Sequence, residues 1–171
     1  MRSISRVSLA AAASAALIAS LALPASAADT TATVQVAAGS LGISAPASTA
    51  LTALTPGGSA SANLTGVNVT DSRAGTADWT ANVSLTNFTG TTPTNIIPAT
   101  AATYTPATAG KTGTVTVVPT TQADLSTAKT VQSATAVVGN NTATWDAVLS
   151  VTAPSDALAD TYTAVLTHSV L

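Results

Sequence analysis

Apolar and polar residues alternate along two arms of the chain on either side of a charged corner at residues 71–78. A period of two predicts β-strands, because successive side chains of a strand point to opposite faces. In the first arm Val67 and Val69 share an inward face, which Asp71 and Arg73 continue. The inward face of the second arm holds Trp79, Ala81, Val83 and Leu85. The arms therefore bring a carboxylate, a guanidinium and an indole to one end of a core.

The same pattern predicts short strands before and after this corner. The first covers residues 31–36, where threonine and glutamine alternate with three inward residues, Ala32, Val34 and Val36. Leu41 and Ile43 begin a second strand. Residues 47–61 read as two strands joined by a turn at Pro56-Gly57-Gly58. Past the corner, Phe88 departs from the parity of Leu85, which predicts a bulge or a strand end near Asn87 and then a surface connection over residues 89–98.

The C-terminal half repeats the alternation, with strands predicted at 101–105, 114–118, 130–138, 143–151 and 161–171. Gly139-Asn140-Asn141 is predicted to be a hairpin turn, because Gly and Asn accept positive φ. Residues 106–113 are predicted to form a loop, and residues 124–128 the one helical turn. The inward residues of the last two strands are Ala143, Trp145, Ala147, Leu149 and Val151, then Tyr162, Ala164, Leu166, His168 and Val170.

About nine short strands separated by Gly, Pro and Asn turns predict an all-β fold. We expect an antiparallel β-sandwich, Ig-like or jelly-roll-like, that spans residues 28–171 as one domain. The lack of alternating helical segments argues against a parallel α/β sheet.

The first 27 residues have the three parts of a secretory signal peptide, which predicts an N-terminal signal helix. Arg2 and Arg6 form a positive region, residues 7–23 are apolar, and Pro24-Ala25-Ser26-Ala27 offers a helix break with a small-x-small cleavage pattern. We expect cleavage after Ala27, with Ala28 as the alternative position. A retained membrane anchor is the weaker alternative, because the apolar run is short and ends in a processing site. The protein is therefore expected to be secreted, with no integral membrane segment after processing.

Charge is scarce, at 7% of residues against about a quarter in an average protein. After cleavage the strong bases are Arg73, Lys111 and Lys129, against seven aspartates, which gives a net charge of about −4. Without a basic patch, binding to nucleic acid or to an anionic membrane is not expected. The chain also lacks cysteine, so stability has to come from the core.

Two interpretations are open for the charged and aromatic residues of the corner. Asp71 and Arg73 can form a structural ion pair, with Arg73 stacked on Trp79. Alternatively, Arg73 and Trp79 belong to a surface that binds a polymer. Two interpretations are also open for Trp79 and Trp145, which are either large core anchors or an aromatic platform for sugars.

Candidate catalytic groups are few. The one histidine, His168, lies on an inward face and is interpreted as a core-edge residue bonded to a backbone or hydroxyl group. A Ser-His-Asp triad is the alternative, although no Gly-x-Ser-x-Gly elbow is present. Asp156 and Asp160 flank a turn that could form a calcium loop, with few oxygen ligands. We therefore expect no enzyme activity, no cofactor and no metal.

Several of these segments resemble the WxL-type cell-surface domains of Gram-positive bacteria, and more closely the exported, Ala- and Thr-rich WxL-like proteins of actinobacteria. The resemblance rests on residues 69–79, which run from Val69 through Asp71 and Arg73 to Trp79, on Phe88, on Thr144-Trp145 and on residues 160–170. The family name describes Trp-x-Leu, whereas Thr80-Ala81 and Asp146-Ala147 follow the two tryptophans here.

The resemblance implies an extracellular β-sandwich that attaches non-covalently to the cell wall, in some members to peptidoglycan. Its motif residues, carried over by position as binding residues, are Asp71, Arg73, Trp79 and Trp145. We expect a secreted, non-enzymatic protein whose partners are a cell-wall polymer or other surface proteins. The alternatives are a self-assembling fibre or coat subunit that pairs edge strands, and a small secreted hydrolase.

Overall fold

A computed structural model describes residues 30–171. The predicted signal peptide, residues 1–27, lies outside the described residues. Residues 30–40 form no regular structure, so the strand predicted at 31–36 is wrong for the single chain. Val34 and Val36 are 88% and 79% exposed. Alternation favours a strand, but a strand also needs a neighbour to pair with, and this segment has none in the described part of the chain.

The described chain forms ten strands and one short 3₁₀ helix, Ala99–Ala101, which confirms the predicted all-β class. No helix in residues 30–171 has the length and apolarity needed to cross a bilayer. The strands are β1 (Leu41–Ser44), β2 (Ser59–Asp71), β3 (Trp79–Leu85), β4 (Phe88–Thr89), β5 (Ile96–Ile97), β6 (Ala102–Pro106), β7 (Gly110–Pro119), β8 (Gln122–Ala123), β9 (Lys129–Thr152) and β10 (Leu166–Val170).

The 24-residue strand β9 joins the two halves of an antiparallel sheet. Its first part pairs with β3 and with the end of β7, and its second part pairs with β2, β6 and the start of β7. The sheet order is β1-β2-β9-β3-β10. The end strands β1 and β10 approach each other without pairing, which gives a nearly closed sheet, consistent with a sandwich or barrel-like fold.

The hairpin predicted at Gly139-Asn140-Asn141 is wrong, because the two strands predicted on either side of it are one continuous strand, β9. Gly139 does have a positive φ of 69°, and so does Ala136, at 54°. These residues bend β9 instead of reversing it. The neighbouring β7 bends with it at Gly113, where φ is 74° and the register shifts.

Three further predictions are corrected by the backbone. The loop predicted at residues 106–113 is wrong in part, since β7 begins at Gly110. The helical turn predicted at 124–128 is wrong: Asp124 has a φ of 56° and its carboxylate accepts the N–H of Ser126 in a local turn. Residues 47–55 form no strand, although the turn at Pro56-Gly57 does form, before β2.

The predicted inward faces are confirmed in β2, β3 and the second part of β9. The buried core includes Val67, Val69, Trp79, Ala81, Val83, Leu85, Ala143, Trp145, Ala147, Leu149 and Val151. The strand predicted at 161–171 is shorter, since only Leu166–Val170 pairs continuously with β3. The predicted strand end near Asn87 is confirmed, because β3 stops at Leu85 and β4 starts at Phe88.

Candidate functional site

The charged corner after β2 is closed by a two-point ion pair. The Nε of Arg73 donates to Oδ1 of Asp71 at 2.9 Å, and Nη2 donates to Oδ2 at 2.9 Å. The Asp71 side chain is 2% exposed and that of Arg73 29% exposed. Nη2 of Arg73 also donates to the carbonyl oxygen of Ala77 at 2.8 Å, which ties the turn to the pair. The interpretation as a structural ion pair is confirmed.

Asn141 connects this pair to the first tryptophan. Its Nδ2 donates to Oδ2 of Asp71 at 3.2 Å, and its Oδ1 accepts the indole N–H of Trp79 at 3.1 Å. We call Asp71, Arg73, Trp79 and Asn141 the corner network. The predicted stacking of Arg73 on Trp79 is wrong, because the aromatic contacts of the described residues include no such pair. The two side chains are linked through Asp71 and Asn141 instead.

The hydrogen bond from Arg73 is the main influence on the Asp71 carboxyl. It lowers the pKa of Asp71 against the opposing effect of burial, with further help from the Arg73 N–H and from Asn141. The same bond raises the pKa of Arg73. Both groups are therefore held in their charged forms by each other. Of this pair, a ligand reaching the corner would meet only the exposed part of Arg73.

A second polar chain links the other tryptophan to the histidine. The indole N–H of Trp145 donates to the Tyr104 hydroxyl at 3.3 Å, and that hydroxyl lies 3.1 Å from Nε2 of His168. The rings of Tyr104 and His168 also meet edge to face, with centroids 5.7 Å apart. The interpretation of His168 as a core-edge histidine bonded to a hydroxyl is confirmed, and its partner is a tyrosine, not a serine.

Burial favours the neutral forms of both Tyr104 and His168. It raises the pKa of Tyr104 to about 12, and it lowers the pKa of His168. A hydroxyl with so high a pKa stays protonated at neutral pH and can donate to the neutral imidazole.

The lowered pKa of His168 predicts a loss of stability in mild acid. Since the unfolded histidine takes up a proton near pH 6.5 and the folded one only at lower pH, protons favour unfolding as the pH falls below about 6.5. The free energy of unfolding should fall by up to about 1.4 kcal/mol per pH unit until the folded histidine also titrates. Urea unfolding at pH 7.5, 6.5 and 5.5 measures it.

His168→Gln is the matched variant, because the amide can still bond the Tyr104 hydroxyl and does not titrate. This variant should lose the pH dependence above pH 5 that the native chain shows. Asp71 does not contribute to the pH dependence in this range. Its lowered pKa stabilises the folded state at pH values above 3.8, and this stabilisation is lost only as the pH falls below that value. Identical pH profiles for the two chains would contradict the assignment.

Asp160 organises the loop before β10. Its carboxylate accepts hydrogen bonds from five donors: the N–H groups of Thr91, Thr92 and Thr161, the Thr91 hydroxyl and Nδ2 of Asn95. These bonds hold its pKa well below the usual range. A carboxylate surrounded by donor hydrogens is not oriented to bind a cation, so the calcium loop considered as an alternative for Asp156 and Asp160 has no geometric basis here. The described residues hold no metal-binding group of three or more His or Asp side chains.

One outward sheet surface is covered by uncharged polar side chains. In the ladder that joins β2, β9 and β6, Ser61 and Thr103 both lie opposite Ser150, and Ser59 lies opposite Thr152. We call this surface the hydroxyl face and define it by Ser59, Ser61, Asn63, Thr103, Thr105, Ser150 and Thr152. Val148, opposite Asn63 and Thr105, is the exposed apolar residue within it. Apart from partly buried Thr103 and Ser150, these side chains are exposed, and Asp146 lies at one end. Such a face offers donors and acceptors without charge.

A groove of about 920 Å³ opens at the end of the fold away from the corner network. Its walls are the loop at residues 46–56 and the chain at residues 157–166. Its floor is formed by core residues that are only 2–8% exposed, namely Leu64, Leu85, Phe88, Ile97, Leu149 and Val151. We call it the end groove.

The structure separates the four residues that the sequence proposed as binding residues. The corner network holds Asp71, Arg73 and Trp79. Trp145 lies elsewhere, hydrogen-bonded to Tyr104, which in turn contacts His168. Trp79 and Trp145 are 1% and 2% exposed, so they are core anchors and present no ring face to a sugar. A binding role for these four residues stays a prediction.

Asn141 is the corner residue that sequence reasoning missed, because it was assigned to a turn. The available signal was its parity, which matches that of the inward residues Ala143 and Trp145. Comparisons of this chain with protein-family models, with curated proteins and with solved structures gave no match.

Proposed function

We propose that this protein is a secreted, non-enzymatic cell-surface protein that associates non-covalently with the bacterial cell wall through its hydroxyl face. The observation that carries the proposal is this uncharged ladder of hydroxyl and amide groups across three strands. Cell-wall glycan strands are rich in hydroxyl and amide groups, and a sheet surface of the same chemistry can exchange hydrogen bonds with them along its length.

The state of the titratable groups supports a role without catalysis. Asp71 and Arg73 neutralise each other, the Asp160 carboxylate is filled by donors, and Nε2 of His168, a residue in the lining of the end groove, is bonded to Tyr104. A general base has to reach a substrate proton with a free lone pair, and a nucleophile needs such a base beside it. Under this proposal the residues that carry the WxL resemblance maintain the fold that presents the hydroxyl face.

Retention of the exported protein on purified cell walls tests the proposal. The variant Ser61→Ala/Thr103→Ala/Ser150→Ala removes three neighbouring hydroxyls from the face, each worth about 0.5–1.5 kcal/mol as a hydrogen bond. Its affinity should therefore fall at least about ten-fold. The control Thr112→Ala/Thr142→Ala removes an exposed hydroxyl pair between β7 and β9, joined at 2.7 Å, and should bind as the native protein does.

Release of the native protein into the supernatant would contradict wall association itself. Equal retention of the native protein and the triple variant would contradict the assignment of the hydroxyl face.

A further inference from the structure

The segment at residues 31–37 has the side-chain pattern of a strand and no strand partner in the described part of the chain. Ala32, Val34 and Val36 alternate with Thr31, Thr33 and Gln35, and the segment carries no charge. Both valines are largely exposed. Two exposed β-branched residues on one parity are unusual for a surface segment, since this pattern fits a half-buried strand.

The chain leading into β10 has an open backbone edge. In this segment the odd-numbered residues Thr163 and Val165 make the backbone bonds to Thr89 and Thr86. After β10, Leu171 makes the backbone bonds to Thr80. Because the N–H and C=O groups of successive residues in a strand point to opposite sides, those of the even-numbered residues point away from β3. No strand of the described chain pairs with β10 on the side away from β3, although β1, the other end strand of the sheet, approaches β10. We call residues 162–166 the acceptor edge.

The acceptor edge is also a wall of the end groove. Tyr162, Ala164 and Leu166 contribute to its lining, above an apolar floor that includes Leu149 and Phe88. An added strand here would gain backbone hydrogen bonds at the edge and would place every second side chain over the groove.

The chemistry of the segment matches that of the groove. Asp160 is the one charged residue in the groove lining, and its carboxylate is already filled by donors from the neighbouring loop. An uncharged segment can therefore enter without desolvating an unpaired charge. As a strand, the five residues 32–36 would span about 17 Å, and the acceptor edge at residues 162–166 is also five residues long.

We propose that residues 31–37 of one copy add as a strand to the acceptor edge of a second copy, with Ala32, Val34 and Val36 facing the end groove. The donor and the acceptor are different surfaces of the same chain, so the contact is head to tail. Such a contact extends into a fibre, or closes into a ring if the rotation allows. The inference is independent of wall binding, because it uses neither the hydroxyl face nor the corner network.

Cysteine cross-linking tests the contact directly, since the chain contains no cysteine of its own. Exported protein with Ala164→Cys is mixed with protein carrying one cysteine at position 32, 33, 34, 35 or 36, under mild oxidation. Facing side chains in paired strands have Cβ atoms about 4.5–5.5 Å apart, close to disulfide distance. Mixed dimers should form with Val34→Cys and its even-numbered neighbours, at least several-fold above Thr33→Cys and Gln35→Cys.

Because each molecule carries only one thiol, a mixed dimer can form only when the segment of one copy contacts the acceptor edge of a second copy. Absence of mixed dimers, or equal yields at odd and even positions, would overturn the proposal. Cross-linking that appears only within a chain carrying both cysteines would overturn it as well, in favour of docking in the same molecule.

Sedimentation velocity over a range of concentrations gives a second, independent readout. The native protein should associate as its concentration rises, and Val34→Asp should raise the dissociation constant at least about ten-fold, because a carboxylate would enter an apolar groove. Gln35→Asp adds the same charge on the outward parity and should associate like the native chain. A monomeric native protein at all concentrations would overturn the inference, whereas retention of Val34→Asp on cell walls reports only on the hydroxyl face.

Discussion

Replacing Asp71 with alanine is expected to lower the free energy of unfolding by about 3 kcal/mol. The substitution removes the acceptor of two Arg73 guanidinium bonds and of the Asn141 amide. The buried Nδ2 of Asn141 would keep only its weaker bond to the Gly139 carbonyl, while Arg73 would face the core end without a counter-charge. Urea unfolding at pH 7 measures the loss.

Asp78→Ala is the matched control for this prediction. Asp78 belongs to the same corner, but its side chain is exposed, so its removal should change stability by less than about 0.5 kcal/mol. A similar small effect for both variants would mean that the corner network does not hold the fold. A Trp79→Phe variant should fall between them, at about 1–2 kcal/mol, because it leaves Oδ1 of Asn141 without its donor.

Replacing Gly113 with alanine is expected to destabilise the protein by about 3 kcal/mol or more. Gly113 has a φ of 74° at the point where β7 bends, and a Cβ there would overlap the backbone carbonyl oxygen of Asn140 in β9. A backbone oxygen in a paired strand cannot move aside as a flexible side chain can. Thermal and urea unfolding of the variant measure the effect.

Gly139→Ala separates the steric overlap from the cost of positive φ. Gly139 has a similar φ of 69°, but a Cβ there would meet nothing within 4 Å. Its substitution should cost only the left-handed backbone penalty of about 1–2 kcal/mol. Equal losses for the two variants would show that the close approach of β7 and β9 is not the cause.

Side-chain parity is the part of this fold that can be read from the sequence. The inward positions of Val67 and Val69, of Trp79 to Leu85, and of Ala143 to Val151 follow from local alternation, since a strand buries one face. The ion pair could be predicted for a similar reason: both charges lie on an inward parity two residues apart, where an unpaired charge would be costly.

The pairing of these strands depends on residues far apart in the chain, which local patterns do not report. Gly139-Asn140-Asn141 has the composition of a hairpin turn, but the strand continues because β7 bends beside it at Gly113. Asn141 was missed in the corner network because its partners, Asp71 and Trp79, are more than sixty residues away. Residues 31–36 have the pattern of a strand, but the described part of the chain offers them no neighbouring strand to pair with.

The most direct test of the account compares two variants on purified cell walls, at a temperature where circular dichroism shows both to be folded. Arg73→Gln alters the exposed end of the corner network, and Ser61→Ala/Thr103→Ala/Ser150→Ala alters the hydroxyl face. The account predicts near-native retention of Arg73→Gln and at least about ten-fold weaker binding of the triple variant. Loss of binding by Arg73→Gln with native binding by the triple variant would contradict it, and would place wall recognition at the corner.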